Sequence, residues 1–208
     1  MELLNRTRLK RSRYFRTSPN TSSTAPVPTR GSACVRARAV KSGNPFTPTA
    51  AADVTVLEMR GDTSLVQRVA GAQTLLRREF PLGVDSLVRQ SLRHEPPRPI
   101  ELEHAIELTE EAVMPLAAHF ADSPGLILQG LGAALIAHSL ETSGIAQTAL
   151  TLDEVEALFN RLVSVSHGRP ASQETLPTNA RFYAAMLVLR EFMHHLHFAH
   201  VTLQPVKE

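Results

Sequence analysis

The sequence predicts a mostly helical α+β domain, with an all-α bundle as the alternative, behind a basic structureless tail. Three observations predict it. Apolar residues recur at helical spacing in five or six segments of the body. Alternation with β-branched residues is confined to the two ends of that body. Charge also divides near residue 52. Residues 1–52 hold ten Lys/Arg and one acid, Glu2; taken from totals of 22 and 20, this leaves 12 Lys/Arg against 19 Asp/Glu in residues 53–208.

The tail, 1–52, is one unit in this reading. Its segment TSPNTSSTAPVPTRGS (17–32) has almost no apolar content and cannot offset its own ordering entropy. Arg-rich, Ser-rich and acid-poor composition matches an organelle transit peptide. A basic arm for nucleic acid is a second reading and a functionless extension a third. Nucleic acid ranks lowest, because the acidic body repels phosphates and no aromatic residues are interleaved with basic ones to stack bases.

The body, 53–208, reads as a single globular domain. VTVLEM (54–59) alternates and predicts a strand, which Gly61 ends. Asp62 or Thr63 can cap a helix whose face is Leu65, Val69, Ala72 and Leu76. Pro81 and Gly83 stop it. Val84, Leu87, Val88 and Leu92 mark a shorter helix before the loop HEPPRP (94–99). Residues 100–120 are helical by period, and Pro115 must kink or restart the helix, since it lacks an amide proton. Residues 125–140 are apolar nearly all round and predict a central buried helix, with a buried strand at 126–128 as the other reading. Thr151 and Glu154 have capping-box spacing ahead of Leu152, Val155, Leu158, Phe159 and Leu162. Thr178 or Asn179 starts a last helix with a stripe through Phe182, Met186, Leu189, Met193 and Leu196. HVTLQPV (200–206) predicts a closing strand, placed at an edge by Pro205 and able to pair with the first strand. Strands do not alternate with helices often enough to predict a doubly wound sheet.

Four histidines fall within seven positions of EFMHHLHFAHV (191–201). At about 100° per residue, His195 lies opposite the apolar stripe, so it is expected to pair with Glu191 at the surface. His194 and His197 fall on a flank in the last helical turns, where imidazolium favours the helix dipole. The sharper reading is a divalent metal site from Glu191, His194, His197 and His200. The pair Glu101 and His104 offers a second Glu-x-x-His step, as carboxylate-bridged dimetal bundles use. No other cofactor is expected.

Other chemistry finds little support. The single cysteine, Cys34, excludes an intrachain disulfide and a Cys-based zinc cluster, and it has no positioned base. His200-x-Thr202 is half of a paired H-x-T phosphoesterase signature, and the second half is missing. G-x-G-x-x-G, P-loop, G-x-S-x-G and H-E-x-x-H motifs are absent. The acidic segment Glu101, Glu103, Glu107, Glu110 and Glu111 reads as a solvated face whose protein partner would be basic. The longest apolar run, near 131–137, is too short to span a bilayer. A soluble intracellular protein is therefore expected, cytoplasmic or in an organelle lumen. The sequence favours a non-enzymatic helical binding or accessory module. A metal-binding enzyme or sensor built on the His cluster and a tail-driven nucleic-acid binder are the alternatives.

Overall fold

A computed structural model describes residues 53–120, 125–145 and 147–205. The tail lies outside the described residues, and with it the targeting and nucleic-acid readings. Strand β1 (Asp53–Met59) forms as its alternation requires. The helix expected after it is instead a hairpin of β2 (Ser64–Ala70) and β3 (Gln73–Phe80). Gly71 makes this turn: its φ of 59° lies in the left-handed region that a tight hairpin needs. Leu65, Val69, Ala72 and Leu76 fit helical spacing only by coincidence. β3 is the outer strand, with Gln73, Thr74, Leu75, Arg77, Arg78 and Glu79 exposed, so it buries no alternating face that the sequence could display.

The chain then enters α1 (Val84–Gln90) and α2 (Pro99–Val113), the latter with proline in its first turn, where a missing amide costs nothing. At Pro115 the helix passes into a 3₁₀ turn (Met114–Leu116) and restarts as α3 (Ala117–Phe120). The apolar run at 125–140 divides into β4 (Leu126–Gln129) and α4 (Gly130–Thr142). A short β5 (Ala149–Thr151) leads into α5 (Leu152–Ser166), whose cap is the one its sequence spells. Thr151 Oγ1 accepts from the Glu154 amide at 3.1 Å, and the Thr151 amide donates to Glu154 Oε2 at 2.8 Å. The last two elements are α6 (Ala180–Leu196), capped by Asn179, and β6 (His200–Gln204).

These strands form one mixed sheet of six strands, in the order β3-β2-β1-β4-β6-β5. This is an α/β architecture and corrects both the mostly helical α+β expectation and the all-α alternative. β1, β4 and β6 run parallel. The two end strands of the body do not pair, because β4 lies between them, and β6 is not an edge strand, because β5 flanks it. Register puts Thr55, Leu126 and Val201 on one rung and Leu57, Leu128 and Leu203 on another; all six are buried. α4 packs on these three strands.

α6 runs through the interior. It touches α1, α2, α4 and α5, and 14 of its 17 residues are buried. The expected one-sided stripe is therefore a helix enclosed on most sides. Among the described residues no helix is long and apolar enough to cross a membrane.

Candidate functional site

Parallel strands that end together create a crevice at their carboxyl ends, because the following segments diverge there. In this sheet the last rung that β1, β4 and β6 share is formed by Glu58, Gln129 and Gln204. Gln129 Nε2 donates to Gln204 Oε1 at 3.0 Å. Two close approaches shape the rung's edge. Gly130 opens α4 at φ +76°, and a Cβ there would stand 2.7 Å from the Met59 carbonyl oxygen. Gly83 opens α1 against the β1–β2 turn, where a Cβ would lie 2.6 Å from the carbonyl oxygens of Arg60 and Gly61. The first amides of α1, from Val84, Asp85 and Ser86, donate to those same carbonyls at 2.7–3.0 Å. The turn Arg60-Gly61-Asp62-Thr63 is thereby held beside the rung.

The charges at this corner are paired. Arg60 holds Glu58 through two nitrogens, at 2.8 and 2.9 Å, and its hydrogen bond keeps the Glu58 carboxyl below its ordinary pKa. Glu79 accepts from Thr63 Oγ1 at 2.9 Å and lies 4.0 Å from Arg60. Arg89 meets Asp62 at 2.6 Å, and Arg181 meets Asp85 at 2.8 Å. Exposed pairs of this kind add little stability and exchange readily for a stronger ligand. A half-exposed carboxylate with a guanidinium fork beside it suits water activation and phosphoryl recognition.

The residues expected to hold metal lie elsewhere. Glu101 caps α2: one oxygen meets His94 Nδ1 at 2.6 Å and the other accepts from the Arg98 amide at 3.0 Å. Burial alone would raise its pKa, but the Arg98 amide and His94 hold it low. With exposed His104 it lines a surface pocket of about 510 Å³ between α1 and α2. His194, His197 and His200 are exposed. His194 Nδ1 lies 3.6 Å from Glu156 on α5, and His197 closes α6 in the left-handed conformation. Glu191 is fully buried, which corrects the surface pair expected for it and His195. Instead Glu110 on α2 joins them. Among the described residues this is the one group of three side chains able to share a metal ion, with ligand atoms all within 4.8 Å of one another.

Solved structures share this fold. The chain has the fold of the Ppx/GppA phosphatases. It superposes on the type II variant of the Aquifex aeolicus Ppx/GppA phosphatase with a TM-score of 0.58, at 12% identity, over 74% of this chain and 54% of that one. An exopolyphosphatase from Cytophaga hutchinsonii gives a TM-score of 0.58 at 14% identity, over 76% of this chain and 55% of that one. The chain therefore spans about half the length of the structures it matches. No family model and no curated protein matches it by sequence.

This fold overturns the helical accessory module, the function that the sequence favoured. That reading rested on the lack of a complete catalytic motif in a mostly helical domain, whereas the chain has a six-stranded sheet and the fold of phosphatases. Sequence reasoning also missed Glu58, Arg60, Gln129 and Gln204. One signal was present: V-T-V-L-E-M-R-G-D-T-S-L-V-Q-R-V is a strand, a Gly-Asp turn and a second strand, in which Asp62 and Thr63 serve the turn and cap no helix.

Proposed function

We propose that the chain is a phosphohydrolase domain that takes a phosphate chain or phosphate ester at the corner of β1, β4 and the Arg60–Thr63 turn. The observation that carries this reading is the Glu58–Arg60 pair at the carboxyl end of a parallel sheet whose fold is that of phosphatases. Arg60 is the phosphoryl-binding group. Its fork fits two phosphate oxygens as well as it fits a carboxylate, and a multiply charged phosphate displaces a half-exposed carboxylate from it. Glu58 is the base. While Arg60 holds it, its pKa stays low; when Arg60 turns to substrate, Glu58 becomes more basic and accepts a proton from the attacking water. The rung partners Gln129 and Gln204 supply neutral hydrogen bonds and leave the added negative charge to Arg60. The acidic body repels anions in general, and Arg60, Arg89 and Arg181 are the cations that offset this repulsion at the corner.

Phosphate release from polyphosphate and from p-nitrophenyl phosphate by the full chain tests the proposal. Glu58→Gln should lower kcat about 100-fold or more. Arg60→Ala should act mainly by raising KM. The reading fails if the folded chain releases no phosphate from either substrate and does not bind polyphosphate. It fails equally if Glu58→Gln turns over like the unaltered protein.

A further inference from the structure

We propose that Glu110, Glu191 and His195 form a binding site for one divalent transition-metal ion of the zinc type, which ties α2 to α6. The site is separate from the phosphate corner, and its ligand set is not the one expected from the histidine run. His194, His197 and His200 take no part, and α2 contributes a carboxylate.

Three observations support it. The first is isolation from solvent. Glu191 Oε2 and His195 Nε2 are both shielded and make no hydrogen bond, although Glu191 is fully buried. Buried polar atoms are otherwise almost always satisfied. The second is distance. His195 Nε2 lies 3.4 Å from Glu191 Oε2 and 3.7 Å from Glu110 Oε1. A charge-assisted hydrogen bond would draw such pairs to about 2.8 Å. Ligands at about 2.1 Å from a tetrahedral ion stand about 3.4 Å apart, so the observed spacing suits shared coordination better than direct pairing. The third is charge. Glu110 and Glu191 bring two carboxylates to this point from two different helices. Arg190 engages the other oxygen of Glu191 and lies 3.9 Å from Glu156. Two carboxylates and one imidazole form a zinc donor set with a fourth position left for water.

Zinc titration and metal analysis of the full chain without an affinity tag test the site, with magnesium as comparator. The expected result is one zinc per chain retained through dialysis, an upward shift in Tm, and no comparable shift with magnesium. Glu110→Gln lies at the solvent edge and should leave the fold intact while weakening zinc binding at least tenfold. His195→Ala should do the same and abolish the tetrahedral visible band of the cobalt-loaded protein. A triple substitution of His194, His197 and His200 by alanine should bind zinc as the unaltered chain does. The proposal is overturned if the folded chain retains no zinc. It is also overturned if Glu110→Gln binds zinc with unchanged affinity, or if the triple substitution removes the binding. Phosphate release plays no part in these readouts, so this inference and the phosphatase reading fail independently.

Discussion

At the level of single residues, the most strongly held carboxylate is not at either site. Glu174 precedes α6 and is nearly inaccessible, with 1% of its side chain exposed. Burial alone would raise its pKa. Arg161, the Leu176 amide and Arg169 reverse that and hold it at about 2. The folded state thus binds this proton less readily than the unfolded one. The stabilisation is complete above the ordinary value of 4.5 and is lost as pH falls from there toward 2. Glu174→Gln should cost on the order of 2 kcal/mol in urea unfolding at pH 7, and the difference from the unaltered chain should vanish near pH 2. No sequence pattern announces this residue, because its partners come from α5 and from the loop that follows. Glu191 and His195 teach a related lesson. Their shared helix face was legible from spacing, but their burial was not, since it depends on α2 lying across that face.

Elements were legible where a local rule decides them. The capping box of α5, the Asn179 cap of α6 and the break at Pro115 depend on neighbours in sequence, and each stands where its residues put it. The hairpin failed because its spacing served two periods and its outer strand buries too little to show a face. β4 was legible only as an alternative, since four apolar residues are ambiguous before a helix begins. Gly130 marks that boundary. Its positive φ and the nearby Met59 carbonyl leave no room for a side chain. Gly130→Ala should lower the unfolding free energy by about 2–3 kcal/mol, measured as a reduced urea midpoint with unchanged slope. If the phosphate corner is as proposed, the same change should raise KM by displacing the ends of β1 and β4.

For the molecule as a whole, α6 is the hub. All five other α-helices, α1 to α5, touch it, and its side chains reach into one continuous core. Leu189, fully buried at its middle, should cost 2–5 kcal/mol when changed to alanine, the range for a core cavity. Hydrogen exchange should find the α6 amides among the slowest in the chain and those of β3 among the fastest. Sequence reasoning recovered most of the helices but neither the hairpin nor the sheet order. Parallel neighbours are distant in sequence, β4 and β6 being separated by 70 residues or more, and nothing local records which strand lies beside which. The outermost strand has a final consequence. No described strand pairs with its outer amides and carbonyls, an edge that invites a foreign strand, yet Arg77, Arg78 and Glu79 stand along the same margin. Lateral growth into an aggregate would force those ions against an apolar newcomer, and this penalty protects a rim that no described strand covers.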